Sequence, residues 1–502
     1  MGKMTAPMLA AAALAMLATG CGDDAPQTQP IDAVLTVVVE GAGQVRLDNG
    51  QVCEDRCQFD FNDGRRVSLD AEPSSDDGTA FGGWSGHCGG LDDCAVTMDK
   101  DRQVTAHFEG VCPEPWEESL VGAEVQDVSV GALVVVAGRF EGVLEVGDQR
   151  LESSGGADGF VAAFSRSQCA LRWLVHVDGS GDDDVTALTL DASGNAYVSG
   201  RFDAGGALAG AALAEDSGAR GIFLAKLAGP NGLPLWSRTI VGEDELAVGG
   251  VAVGDDRAVF WAGTFAQTVD FGDGLLSSRE GGSDVFQGRF DSLDGRRLWT
   301  RRYGSEGSDR ATGLAVTEDG DPVVSGDFAQ AMPTVELEAQ GQRDGFVMRI
   351  SQRNGVPVWG TAVSVAEETF GGAVAVAANE ILLSVQGEGQ FAAVLEVEGG
   401  QERWRLGWGG GVSPTPPAVA FGQGRWWLGT ALSDTAQVPD THEPVGPSEL
   451  VLLELDGGAL VGAHLLGNDD VAQVRALSPQ PDGALMVATQ RGEDGVLVQG
   501  GW

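Results

Sequence analysis

The sequence predicts an all-β chain, with a small module at the front and a closed ring of four-stranded sheets behind it. Three observations carry this. A tryptophan recurs near the end of six similar segments, at Trp116, Trp173, Trp236, Trp299, Trp359 and Trp404, with gaps of 57, 63, 63, 60 and 45 residues. A seventh copy, ELDGGALVGAHLLG at 454–467, keeps the frame without the tryptophan. The segments between are rich in glycine and β-branched residues, and self-similarity at this period marks stacked repeats.

Each repeat has four strand-like pieces, clearest in the second: VTALTLDASG, NAYVSGRFDAG, GIFLAKLAG and LPLWSRTIVG. Turns are marked by Asp191-Ala-Ser-Gly-Asn195 and Pro230-Asn-Gly232, residues that favour tight reversals. The second piece recurs as GRF at 138–140 and 200–202, GTF at 263–265 and GDF at 326–328. The third recurs seven times, from GFVAAF to GVLVQG. The fourth piece first occurs at 113–122, before any first piece, and the last repeat stops after its third. This offset predicts a seven-bladed β-propeller over 111–502 whose N-terminal strand completes the last blade, so that few edges stay open. Extra residues between pieces two and three of the first four repeats, such as TVDFGDGLLSS at 268–278, predict protruding hairpins.

Residues 33–110 form a separate unit, opening with VLTVVVEGAGQVRL read as one alternating strand. Three or four strands with apolar residues at every second position give one buried face. So short a unit has a thin core that cross-links would help.

The first twenty residues read as a targeting segment. Lys3 supplies the positive start, and Met8–Thr19 is an apolar run too short to span a bilayer. It ends in LATGC at 17–21, which resembles the lipobox of bacterial lipoproteins; the resemblance implies cleavage before Cys21 and a lipid on that cysteine. Residues 21–32 then serve as a tether. With Cys21 modified, six of the seven cysteines remain, an even number suited to an oxidising compartment. The expected location is therefore the bacterial cell envelope, at the outer membrane or the cell surface, with the membrane reached through the anchor.

Formal net charge is −43, from 74 acidic and 31 basic residues. Such a surface repels phosphate backbones and excludes nucleic acid as an expected partner. It suits a soluble monomer in salt water.

Motifs in the front unit resemble the divergent InlB-type B-repeat of bacterial surface proteins. The matching residues are Gly41 and Gly43, Cys53 and Cys57, Ala71 and Pro73, Phe81 through Cys88, Cys94, Val96, Met98, and Val104 to Phe108. The resemblance implies a β-grasp-like spacer or adhesion module with disulfides Cys53–Cys57 and Cys88–Cys94. The propeller repeats resemble the SBBP type, through Asp191, Ser193–Asn195, Tyr197, Gly200 and Phe202 and the G-x-x-x-W ending. That family implies fold more than function. Cys112 and Cys169 each stand four residues before a tryptophan. Arithmetic favours pairing them, whereas equivalent turns of adjacent blades lie too far apart for a disulfide.

No catalytic constellation is evident. The five histidines are dispersed, and Gly83-Trp-Ser-Gly86 lacks the setting of a nucleophile elbow. Asp178, Ser180, Asp182 and Asp184, with Asp183, form an acidic turn whose alternate oxygens suit calcium; the other reading is a solvated turn. The G-x-x-x-W spacing resembles the docking motif of quinoprotein propellers, which implies a rival enzyme using pyrroloquinoline quinone and calcium. A second rival is a propeller lipoprotein that helps assemble outer-membrane proteins. The expected role is non-enzymatic, without a cofactor: binding of a protein or glycan through the propeller's loop faces.

Overall fold

In the computed structural model, the described residues are 33–500 except 63, 75–78, 90–93, 111–115, 167–168, 215–217, 243, 255–257, 273, 280–281, 409–416, 423, 433–448, 457–458, 468–470 and 481–483. The targeting segment, the tether, Cys21 and Cys112 lie outside them. No helix among the described residues is long and apolar enough to cross a membrane.

The front unit has eight strands where three or four are expected, and each sheet turns its buried face to one core. Its strands form two four-stranded sheets. In one, Ala33–Glu40 and Arg102–Gly110 run parallel at the centre, flanked by antiparallel Arg56–Phe61 and Thr79–Gly86. The other contains Val52–Cys53, Gly43–Leu47, Arg65–Pro73 and Cys94–Met98. Leu35, Val37, Val45, Val67, Met98 and Val104 are fully buried in one shared core. The segment read as a single strand breaks at Gly41, where φ is +97° and a Cβ would stand 1.8 Å from the Phe108 carbonyl oxygen. Only glycine fits there. The chain therefore leaves one sheet at Glu40 and enters the other at Gly43. Disulfides Cys53–Cys57 and Cys88–Cys94 are present, with Cα separations of 5.7 and 5.6 Å, inside the usual range. Cys169 is also a disulfide cysteine; its partner lies outside the described residues.

From Trp116 onward the described strands form five four-stranded antiparallel sheets, two two-stranded hairpins and one ten-stranded sheet holding two further sets of four. The complete blades occupy 184–241, 246–303, 310–363, 370–408 and 418–467. The two remaining sets share one strand, Trp116–Val130. Its first part pairs with Asp494–Gly500, from Trp116↔Gln499 to Leu120↔Gly495. Its second part pairs with Leu133–Val146. One strand is thus the outer edge of the last blade and the inner edge of the first. The innermost strands touch in sequence around the ring, and Val471–Pro479 meets Trp116–Val130 again. The ring is closed by its own N-terminal strand, as the offset of the fourth pieces predicts.

The cores lie between blades. Val135, Ala137 and Val161 of the first blade share one cluster with Val198, Phe223 and Ala225 of the second. Strands sandwiched in this way read as continuous apolar runs: all eight residues of Asp158–Ser165 are buried. The tryptophans reach across the same boundaries. Each indole N–H donates to a carbonyl in the next blade's turn: Trp173 to Gly229 (2.7 Å), Trp236 to Ser292 (3.2 Å), Trp299 to Gln352 (3.0 Å) and Trp359 to Val397 (2.8 Å). A left-handed glycine in each turn lies against the ring. At Gly232, Gly295 and Gly400 an added Cβ would fall 2.4–2.7 Å from the indole facing it. Trp116 packs edge-on to Phe164 of the first blade, with centroids 5.8 Å apart, and Trp404 packs against the cluster holding Trp426 and Leu453 of the next blade.

The extra hairpins form, but they fold back instead of protruding. Ala207–Leu208 pairs with Ala170–Asp178, the outer strand of the preceding blade. Val269 and Phe271 join the cluster holding Trp236, and Met332 and Leu337 that holding Trp299. Their apolar residues would otherwise be left in water.

Trp236→Ala is expected to lower stability by about 3–5 kcal/mol. Gly295→Ala should cost about 1–3 kcal/mol through backbone strain and overpacking. Denaturant titration checks both, and an unchanged midpoint for Gly295→Ala would contradict the glycine's role.

Candidate functional site

Antiparallel order brings the turn after each outer strand and the hairpin after each second strand to the same end of the ring. The register places Asp184, which opens an inner strand, opposite Arg201, near the end of the second strand. That end carries a series of ion pairs. The middle residue of the recurring triplet supplies Arg139, Arg201, Thr264 and Asp327, each followed by a phenylalanine at most 2 % exposed. The buried ring fixes the strand end; of the residues before it, Arg139 is half-buried and Arg201 exposed, while Thr264 and Asp327 are buried.

Arg139 Nε and Arg475 each lie 2.8 Å from a Glu124 oxygen, joining first and last blades. Arg201 pairs with Asp184 at 3.0 Å. Arg310 reaches Asp327 at 3.5 Å, and Arg343 also bonds to that carboxylate. Burial works to raise the Glu124 carboxyl, but the Arg139 hydrogen bond and the two guanidinium charges outweigh it and hold it below the usual range. Burial pulls the Arg475 guanidinium down, with Glu124 opposing. The arrangement encloses a cleft of about 830 Å³ at the seam. A second of about 440 Å³ is lined by Arg310, Thr312, Asp327, Phe370 and Gln386.

The acidic turn is dispersed among separate partners. Ser180 Oγ donates to the Ala204 carbonyl (2.8 Å), Asp182 Oδ1 accepts from the Ala157 N–H (3.1 Å), and Asp184 pairs with Arg201. Asp178 ends its strand half-buried. No group of three or more His, Cys, Asp or Glu placed to hold a metal occurs among the described residues. Nor is the turn simply solvated. Asp183 is 1 % exposed and accepts from the Asp203 N–H at 2.9 Å. Asp309, in the corresponding turn two blades on, is fully buried and accepts from Ser305 and from the Ala329 N–H. Both carboxyls tie the turn to the end of the next blade's second strand. Burial, with nearby Asp158 and Asp203 adding to it, pushes Asp183 up to about 7; burial pushes Asp309 to about 6.

Sequence reading marks the GRF triplets as repeat landmarks and passes over their arginines as site residues. The signal was a charged residue in three of the four triplets, Arg139, Arg201 and Asp327, each beside a phenylalanine. Glu124 and Arg475 lie some 350 residues apart, and ring closure alone brings them together.

Residues 37–112 match the family described as the divergent InlB B-repeat domain. From Trp116 on, the described strands form a β-propeller. No curated protein matches the chain. Among solved structures it is similar to BamB from Moraxella catarrhalis, at 12% identity over 75% of this chain and 96% of that one, with a TM-score of 0.39. A chain of the Mitotic Checkpoint Complex is 12% identical over 78% and 94%, with a TM-score of 0.45. The β-propeller domain of Myceliophteria thermophila Cps50 (Swd1) is 8% identical over 76% and 96%, with a TM-score of 0.42. The fold rests on the strand pairing described above.

A carboxyl whose folded pKa is raised binds more protons folded than unfolded, so its contribution to stability falls as pH rises from its ordinary value to the raised one. For Asp183 and Asp309 that window runs from the usual carboxylate range to about 7 and about 6. Asp183→Asn combined with Asp309→Asn should therefore lose less melting temperature than the parent between pH 5 and pH 8. An identical loss in both proteins would contradict these assignments.

Proposed function

We propose that this is an exported protein, anchored by lipid at Cys21 in a bacterial cell envelope, whose seven-bladed ring is a binding scaffold. The match of residues 37–112 to a B-repeat supports reading the front module as a spacer between anchor and ring. The observation that carries the binding role is the contrast between the ring's parts. The tryptophans and strand edges are engaged in holding blades together, while one end is furnished with charged clefts. Loops carried at the end of a rigid frame are where binding residues concentrate. The ligand in this reading is an envelope protein or glycan.

Two measurements test it. Intact mass of the protein from membrane extracts should show loss of residues 1–20 and gain of acyl chains on Cys21, with Cys21→Ser accumulating unacylated. A soluble product bearing a free Cys21 thiol would overturn the anchor. The purified chain, immobilised and exposed to fractionated envelope proteins and glycans, should retain a saturable ligand that competes with its soluble form. Retention of none would overturn the scaffold.

A further inference from the structure

Three strands of one front-module sheet bring a serine, a histidine and a glutamate into line. Ala33–Glu40 and Thr79–Gly86 flank Arg102–Gly110 on either side. Glu40 lies opposite His107, and Ser85 lies opposite Thr105, the next residue along the same face. Alternation sends Val39, Ala106 and Trp84 into the core, so Glu40, His107 and Ser85 share the solvent face. A bulge between Phe81 and Gly83 supplies the extra residue that lets Phe81 and Trp84 both pack inward, and it thereby aims Ser85 outward.

The order of contacts is that of an activated nucleophile. Ser85 Oγ lies 2.7 Å from His107 Nε2, and His107 Nδ1 lies 3.0 Å from Glu40 Oε2. The carboxylate only accepts, so it fixes the imidazole proton at Nδ1 and leaves the Nε2 lone pair to accept the Ser85 O–H. A base within reach of a hydroxyl, itself oriented by a third group, is the arrangement that turns a serine into a nucleophile. Ser85 is exposed and the His107 side chain is 34% exposed, so a reactant reaches both. Thr79–Gly86 is an edge strand. The backbone N–H groups along its open side face no partner strand and can meet an oxyanion. Half-buried Val38, opposite Thr105, adds a small apolar patch to the face. The three residues stand in separate segments of the sequence, and strand pairing alone joins them.

We infer that Ser85, His107 and Glu40 form an esterase site on the front module, taking carboxylic esters with a short acyl chain. Ser85 Oγ bonds to the ester carbonyl carbon as its proton passes to His107 Nε2. The C–O bond to the alcohol then breaks, and His107 returns the proton to the departing oxygen, leaving an acyl group on Ser85. Water repeats the sequence: its proton goes to His107, its oxygen bonds to the acyl carbon, and Ser85 Oγ departs with the proton as the carboxylic acid is released. Glu40 is a positioning residue that holds the imidazole's tautomer and steadies its positive charge. None of these steps involves the ring, so the inference goes beyond the scaffold reading and is independent of it.

The test uses the full chain with two probes: a fluorescent alkyl fluorophosphonate, from which an activated serine displaces fluoride, and p-nitrophenyl acetate. One adduct per chain is expected, located at Ser85 by peptide mass, with sustained release of p-nitrophenol. Ser85→Ala should abolish labelling, and Ser85→Ala or His107→Asn should each lower kcat about 100-fold or more. Glu40→Gln should lower kcat about tenfold or more with KM unchanged, and Glu40→Asp should recover part of the loss. A melting temperature kept by all four variants, as expected for side chains on a solvent face, separates lost chemistry from lost folding. Labelling at another residue, or no labelling of the folded parent, would overturn the inference. So would turnover retained by folded Ser85→Ala, which would mean that an imidazole attacks the ester directly.

Discussion

An indole N–H that leaves its own sheet for a carbonyl in the next sheet's turn is the contact on which the ring depends. Four-stranded sheets could stack at many angles. The tryptophan limits the choice, because its ring must fit flat against a left-handed glycine while its nitrogen reaches a specific carbonyl. Repetition of that contact at the four junctions between the first and fifth blades sets those blades at a similar rotation from one another. The glycine is required twice over, by its positive φ and by the indole that would strike any Cβ. The steric demand therefore links a tryptophan at the end of one repeat to a glycine near the end of the following repeat: Trp173 to Gly232, Trp236 to Gly295 and Trp359 to Gly400.

Closure follows from the same geometry. A ring built by repeated rotation ends beside its start, and the strand Trp116–Val130 bridges the gap by belonging to both blades. Side chains reinforce the junction: the Gly122 N–H donates to Asp494, Arg491 meets Glu117, and the Val130 N–H donates to the Ser478 hydroxyl oxygen. The Glu124–Arg139 pair follows the repeat's template, in which an inner-strand residue faces the middle residue of the triplet, as Asp184 faces Arg201 and Arg310 faces Asp327. Arg475 of the last blade adds a second guanidinium to the Glu124 carboxylate.

Much of this architecture was legible in the residues. The tryptophan period, the recurring apolar third piece and the early fourth piece report the blades and their closure, since each reflects a local pattern repeated in register. What escaped was tertiary. Alternation in VLTVVVEGAGQVRL runs unbroken through Gly41, and only the Phe108 carbonyl, brought up by another strand, shows why the chain must turn there. The acidic turns carry the composition of a solvated loop, yet Asp183 and Asp309 are drawn inward by the N–H of a strand end some twenty residues away. The hairpins look like projections until their apolar residues find the preceding blade's outer strand and core. Charged residues of the site stood in plain view within the GRF triplets, but their partners come from distant parts of the chain.

The central claim is that a single N-terminal strand fastens the ring. Thermal unfolding and light scattering of a chain beginning at residue 111 and one beginning at 124 test it most directly, because they differ by the strand segment that pairs with Asp494–Gly500. Loss of that segment leaves the last blade with three strands and an edge open to pairing. The account predicts that the shorter chain melts well below the longer one or aggregates. Equal melting temperatures with both chains monodisperse would contradict it.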